Sequence, residues 1–348
     1  MLLSVRTFAF AALVAAAVPA FASHSPAEEG ATAPSPIRIY KHSVWSDIAP
    51  KGVDAHGVRQ NLAPGKSVKL DGLTITLKEH IAGKQKTETD AAIPDKATLT
   101  IAEGDATETK TVNEGDAFNW KAYHIDVPAI YLADGELGHG YTVVEAATIA
   151  SLPERVATST KANGAEDRLR VKHTISKLTL HHSGTTLKAE DDLPTKLKNE
   201  QAWGETDRQR YDVPYHFFVG MDGTIYQGRD YQYTGDTNTG YDTNGHFLIN
   251  CYGNYQVAEP NEKQLESIAE LMAWAAYENH IDPIKIFGHR DLAETDCPGK
   301  NLYKYIEDGS LQKRVEAILK AGKPTVIWLD KKEESAAAPT VMEGAGKK

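Results

Sequence analysis

The sequence predicts an α/β (α+β) domain, with a mixed central sheet flanked by helices, preceded by an all-β accessory domain. Three observations carry that expectation. From about residue 37 to 150 the chain is a series of short alternating runs separated by Gly, Asp and Asn, with no 3.6-residue period. From about 173 to 325, strand-like runs such as ISKLTLHH and HFLINC are mixed with one long amphipathic stretch, NEKQLESIAELMAWAAYENH. With 41% hydrophobic and 25% charged residues, the composition is that of a folded globular chain.

The opening segment, MLLSVRTFAFAALVAAAVPAFA (1–22), sets Arg6 ahead of an apolar run and closes on Ala20-Phe21-Ala22. This is the form of a secretory signal, too short to span a membrane, with cleavage expected after Ala22. The residue directly after that point is Ser23 and not cysteine, so a lipid anchor on a mature N-terminal cysteine is not expected. No other apolar run approaches the ~18 residues of a membrane span. The mature chain is therefore expected to be exported, to a bacterial periplasm or beyond it. Loss of Arg6 takes the formal charge from −10 to −11, a balance that argues against nucleic acid as a partner. Residues 23–36 (SHSPAEEGATAPSP) are small, polar and proline-rich, and read as a disordered leader. Residues 326–348, above all KKEESAAAPTVMEGAGKK, read as a disordered tail.

In the β-rich part (37–150), SVKLDGLTITLKEH, KATLTIAEG, TKTVNEGDAF, YHIDVPAIYLAD and GYTVVEAAT suggest an antiparallel sandwich or barrel. Its histidines, His42, His56, His80, His124 and His139, have no ligand-like spacing and read as surface or core residues. The polar segment 151–172 reads as a linker.

Within 173–325, ISKLTLHH is a strand with Leu178 and Leu180 on one face and His181 on the other. Asp222-Gly223 between two β-prone runs predicts a hairpin. HFLINC reads as a buried strand. Asn261 and Gln264 form a capping box ahead of a helix whose Leu265, Ile268, Ala269, Met272 and Ala276 recur at helical spacing. Asp282-Pro283 ends that helix, and IKIFGH is a strand that delivers His289 at its end. A last helix runs from about Leu302 to Leu319, kinked at Gly309.

His181, His289 and Cys297 thus sit on or just after strand ends, and two imidazoles with one thiolate suit a catalytic metal site with a fourth position for solvent. His182 faces the other way from His181 along the strand. A Cys251–Cys297 disulfide is the competing reading for an exported chain, set against the position of Cys251 inside the apolar run FLINCY. The residues alone leave both open.

LTLHHSGTT, VPYHFFVGMDGTIYQGRD, HFLINCYGNY and GHRDLAETDCPG, in that order over about 150 residues, resemble the zinc-dependent N-acetylmuramoyl-L-alanine amidases, the superfamily that includes the peptidoglycan recognition proteins. The resemblance covers only the C-terminal half. It implies Zn2+ held by His181, His289 and Cys297, and peptidoglycan or a muropeptide as substrate, cut at the amide between N-acetylmuramic acid and L-alanine. It also implies an active-site tyrosine at Tyr215 and, two residues before the cysteine, Thr295 where the phage enzymes carry lysine. Tyr215 is expected to orient the attacking water or the oxyanion, and Thr295 to donate a weaker, uncharged hydrogen bond to it.

Arg229, in YQGRD, is a candidate to meet a stem-peptide carboxylate, a structural ion pair being the other reading. His246 and Asn250 are candidates to line the cleft. His216 reads as structural, and Glu294 and Asp296 as surface acids. Two rival functions stand beside the amidase: a non-catalytic peptidoglycan receptor, against which the complete ligand set speaks, and an amidase that recycles anhydromuropeptides, against which export speaks.

Overall fold

The computed structural model describes residues 33–83, 93–132, 140–162, 164–186, 192–237 and 241–330. The expected signal at 1–22, most of the leader, His139 and the tail beyond residue 330 lie outside the described residues. The chain opens on β1 (Ile37–Tyr40), the short α1 (His42–Trp45) and β2 (Val53–Ala55). Eight strands follow: β3 (Gly57–Leu62), β4 (Ser67–Leu70), β5 (Leu73–Ile81), β6 (Lys96–Glu103), β7 (Ala106–Asn113), β8 (Asp116–Trp120), β9 (Tyr123–Tyr131) and β10 (Tyr141–Thr148). After α2 (Glu154–Ala157) and β11 (Leu169–Val171) come β12 (Lys177–His182), α3 (Leu193–Asp207), β13 (Phe217–Val219), β14 (Ile225–Gln227) and β15 (His246–Cys251). The chain closes with α4 (Glu262–Asn279), β16 (Ile286–Gly288), α5 (Lys300–Glu307), α6 (Ser310–Ala321) and β17 (Val326–Leu329).

β3 to β10 form two antiparallel four-stranded sheets, β3-β10-β9-β8 and β4-β5-β6-β7. Leu73, Ile75 and Leu77 alternate inward from one sheet and meet Ile125, Val127 and Val144 of the other, a sandwich core built by period-two patterning.

The α/β part is a seven-stranded sheet in the order β16-β12-β15-β13-β14-β1-β17, parallel throughout except for the β13–β14 hairpin. That hairpin turns at Asp222-Gly223, where Gly223 takes φ +84. One face is covered by α4, whose Leu265, Ile268, Ala269 and Met272 pack on Leu178, Leu180, Phe247 and Ile249. The Asn261–Gln264 capping box that starts α4 is present. The last helix is two, α5 and α6, because Gly309 adopts φ +72 between them. The other face is covered by α3, capped by Asp192, with Leu193 and Leu197 against Phe218.

The segment boundaries differ from the sequence expectation in three places. β1, from the 37–150 segment, is paired between β14 and β17 of the α/β sheet, and β17 belongs to the residues read as tail. The sandwich is therefore an insertion into the α/β domain, entered after β1. In the 151–172 segment, β11 pairs in parallel with β2, so the strands leading into and out of the sandwich clasp each other.

A buried ionic cluster joins the two parts: Arg59 of β3 pairs with Glu145 at 3.2 Å and with Asp236 at 2.5 Å, and Arg168 reaches Glu145 at 2.9 Å. Burial favours the neutral acid at Asp236, but Arg59, Arg210 and Arg229 outweigh it and hold the carboxyl well below its usual range. No helix among the described residues is long and apolar enough to cross a membrane.

Ile39 is fully buried in the α/β core while Ile327, one strand over, is 41% exposed. Ile39→Ala is expected to cost about 3 kcal/mol in denaturant unfolding, and Ile327→Ala about 0.5 kcal/mol or less. Equal effects would remove β1 from the core.

Candidate metal centre

Strand register brings the first two side chains together. Along β12, Leu180 lies opposite Gly288 of β16, and His181 lies opposite Asn250 of β15. The residue after Gly288 is His289, and its ring centroid is 4.6 Å from that of His181. His289 opens a single 3-10 turn, fixed where the Asp291 carboxylate accepts the Gly288 N–H at 2.7 Å. The loop then closes on itself, with the Arg290 N–H donating to the Cys297 carbonyl at 2.9 Å.

This returns Cys297 Sγ to 3.7 Å from His181 Nδ1, where it also accepts the His182 N–H at 3.3 Å. Gly299 turns the chain away at φ +86, and a Cβ there would lie 2.3 Å from the Tyr255 backbone, so only glycine fits. One donor atom from each of His181, His289 and Cys297 lies within 4.8 Å of the others, all three residues being buried. No second group of this kind occurs among the described residues.

Cys251 is a free thiol on the α4 side of the sheet, as is Cys297 on its own side, so there is no disulfide. His182 turns away from the triad, its Nδ1 accepting the Tyr255 N–H at 3.2 Å.

Burial, reinforced by the neighbouring His289, holds His181 far below its ordinary pKa, and burial lowers His289 to about 3. Both rings are neutral, which is the form that ligates metals. Burial raises the Cys297 thiol to about 12. His289 Nε2 is buried with no hydrogen-bond partner, a cost that a native site accepts only when something else satisfies the lone pair or proton. Two imidazoles and one thiol, with donor atoms within 4.8 Å of one another, suit a borderline-soft cation.

Beside the triad opens a cleft of about 400 Å³ lined by Ser183, Glu200, Trp203, Tyr215, Asn250 and Tyr252. The Tyr215 ring lies 5.0 Å from that of His181. Burial pushes its phenol well above the ordinary value, opposed by a hydrogen bond with Asn250. The Asn250 Oδ1 atom is buried and unpartnered. Glu200, which the sequence reading passed over, reaches the cleft from α3, and burial raises it to about 7 against the opposing charge of Arg210.

Two expected site residues lie elsewhere. Arg229 is fully buried and donates to the carbonyls of Val213, Thr234 and Asp212 at 2.8, 2.9 and 3.1 Å, with Asp236 3.9 Å away. Its guanidinium is taken up by contacts inside the fold, in keeping with the structural reading. His246 shares a sheet face with Asn250 but sits four residues, or about 13 Å, further down the strand. There it bonds the Thr179 hydroxyl at 2.7 Å and lies 3.3 Å from Lys177 Nζ. Thr295 accepts the Cys297 N–H at 3.2 Å, which leaves its hydroxyl proton free to donate. His216 is structural as expected, bonded to the Tyr233 carbonyl and the Leu248 N–H. The sequence reading also passed over Tyr241, whose hydroxyl lies 2.9 Å from His181 Nε2.

A family model described as N-acetylmuramoyl-L-alanine amidase matches residues 171–300. Peptidoglycan-recognition protein 2 of Holotrichia diomphalia is 30% identical over 149 residues, 41% of this chain and 79% of that relative. The chain belongs to the N-acetylmuramoyl-L-alanine amidase family. The N-acetylmuramoyl-L-alanine amidase of Mus musculus is 32% identical over 112 residues, 32% of this chain but only 21% of the mouse protein. The chain thus spans about a fifth of that curated relative. Among solved structures, Drosophila peptidoglycan recognition protein LB aligns at 26% identity over 40% of this chain and 82% of its own, with a TM-score of 0.36. The amidase-family match spans β11 to the start of α5, so β1, β17 and the sandwich lie outside it.

Glu200 generates a test of the cleft. Its folded pKa of about 7 exceeds the unfolded value near 4.3. The folded state therefore binds the extra proton between about pH 4.5 and 7, and that stabilisation is lost as pH rises through 7. In Glu200→Gln the loss disappears, so the variant is expected to gain on the parent by about 2 kcal/mol between pH 5 and 8 in denaturant unfolding. A pH-independent difference would place the carboxyl in solvent.

Proposed function

We propose that this chain is a zinc-dependent N-acetylmuramoyl-L-alanine amidase, hydrolysing the amide between N-acetylmuramic acid and L-alanine in peptidoglycan and releasing stem peptides. The observation that carries the reading is the buried triad of His181, His289 and Cys297, with donor atoms within 4.8 Å, beside a cleft lined by Tyr215 and Asn250. These three residues would hold Zn2+, which when bound supplies positive charge that polarises an amide carbonyl and activates water at neutral pH. The substrate class is inferred from the family and from the names of the relatives.

The chain's own residues do the rest. Tyr215, kept protonated by burial, donates to the amide oxygen as it gathers charge. Asn250 holds that phenol, and its unpartnered Oδ1 offers an acceptor to a substrate N–H in the cleft. Glu200, on the α3 wall, has a carboxyl whose pKa of about 7 suits proton transfer to a leaving amine. Thr295 adds an uncharged donor. The expected signal at 1–22 supports an activity in the periplasm, or in the medium if the protein is secreted.

The receptor reading draws on the recognition-protein relatives, and the same experiment separates the two. Expected are about one zinc per chain, release of stem peptides from sacculi, loss of both on chelation and recovery on adding zinc. Cys297→Ser should lose at least about 100-fold in zinc affinity and in turnover, whereas Tyr215→Phe should keep zinc and lose about 100-fold in kcat. Full zinc with no turnover on sacculi or soluble muropeptides would make the chain a receptor. A parent chain that takes up no zinc would falsify the metal reading.

A further inference from the structure

The imidazole of His181 presents its two nitrogens to different neighbours. Nδ1 faces Cys297 Sγ at 3.7 Å and Nε2 faces the Tyr241 hydroxyl at 2.9 Å. A neutral ring has one lone pair and one N–H. For the lone pair to lie on the thiol side, Nε2 must carry the proton, and the Tyr241 oxygen accepts it. The Tyr241 ring is almost parallel to His181, 6.1 Å away at 21°, and 5.2 Å from His289, so it walls off both imidazoles on that side. Thr237 hydrogen-bonds the same phenol.

The supports of Tyr241 come from the inserted sandwich. The Asn61 side-chain amide, on β3, donates to the Tyr241 carbonyl at 3.2 Å. Two residues away on the same strand, Arg59 holds Asp236, the neighbour of Thr237, at 2.5 Å. Both contacts are buried.

We propose that Tyr241 is the positioning residue that fixes His181 with its proton on Nε2 and its lone pair on Nδ1, and that the sandwich serves the metal centre by holding Tyr241 through Asn61 and Arg59. The inference rests on the metal reading above. It gives the inserted domain a task inside the molecule, and it sets Tyr241 apart from Tyr215, which faces the cleft.

The test uses the full chain and measures zinc dissociation constants by competition with a chromophoric chelator, together with the melting temperature of the zinc-free protein. Tyr241→Phe is expected to weaken zinc about 10- to 100-fold, with the zinc-free melting temperature nearly unchanged. A merely structural tyrosine would give the reverse. Asn61→Ala, which touches neither imidazole, is expected to weaken zinc several-fold. Tyr215→Phe keeps parental affinity. Thr237→Val, which removes the phenol's second partner and leaves the ring, is expected to weaken zinc as well and stands in should Tyr241→Phe fail to fold.

Parental zinc affinity in Tyr241→Phe, or in Thr237→Val if the first does not fold, overturns the role of Tyr241. Weak binding there with parental affinity in Asn61→Ala overturns the role of the sandwich. Absence of zinc from the parent overturns the metal reading itself, and is seen before any variant is made.

Discussion

The site depends on one alignment of strands. Leu180 opposite Gly288 sets His181 beside His289, and His181 opposite Asn250 sets the cleft amide on the other flank. Side chains alternate along a strand, so a slip of one residue would turn His181 into the α4 core and bring Leu180 to the cleft. The pairing is held by what lies beneath it: Leu178, Leu180, Phe247 and Ile249 are fully buried under α4. The face that carries His181 and Asn250 is thus specified by the hydrophobic pattern of the opposite face. Only Cys297 arrives by a loop, which the Arg290 N–H closes on the Cys297 carbonyl and the His182 N–H ties to β12 through the sulfur.

The sheet carrying these residues is assembled from both ends of the described chain. β1 lies between β14 and β17, with almost all of the described chain separating it from β17, and the sandwich together with β11, β12, α3 and β13 separating it from β14. Parallel strands need long crossovers, and here the crossover after β1 has been expanded to hold an entire sandwich. The β2–β11 clasp brings the insertion's ends together, and the Arg59–Asp236–Glu145 cluster fixes its orientation. Buried ion pairs contribute little net stability against an apolar alternative, but they are intolerant of a lost partner. Here they tie β3 of the sandwich to Asp236 of the α/β part, close to where Asn61 of the same strand reaches the Tyr241 carbonyl.

Much of this was legible because it is local. The Asp222-Gly223 hairpin, the Asn261–Gln264 box, the Gly309 break and the two strand-end histidines each announce themselves within a few residues. What was missed is joined across distance. β1 and β17 are four-residue strands, IRIY and VIWL, too short to show a period, and parallel pairing leaves no turn signal nearby. Arg229 was open to two readings, a stem-peptide carboxylate or a structural ion pair, because a guanidinium in a polar stretch looks available to either. Its partners are three main-chain carbonyls, and carbonyls leave no mark in a sequence. His246, a candidate to line the cleft, shares the face of Asn250 but lies four residues down the strand, a distance that a list of candidates does not reveal. Tyr241 bonds a residue 60 positions away, and Glu200 becomes unusual only through the burial that the fold imposes.

The two cysteines show how little burial alone decides. Each thiol is raised to about 12 by the same cause, removal from water. Cys251 is also provided for: its sulfur lies 3.3 Å from the Tyr255 hydroxyl and 3.5 Å from the Gln264 amide, inside a packed apolar layer. Nothing further is asked of it, and it behaves as a small hydrophobic residue. Cys297 sits against two neutral imidazoles, one of which carries a buried nitrogen with no partner. Apolar packing cannot satisfy that nitrogen, and a thiol proton pointed at a lone pair satisfies only one of the rings. A cation would satisfy both rings and the sulfur together, converting three separate desolvation costs into one set of bonds. The difference between an inert thiol and one suited to a metal is therefore set by the neighbours that the strand register delivers.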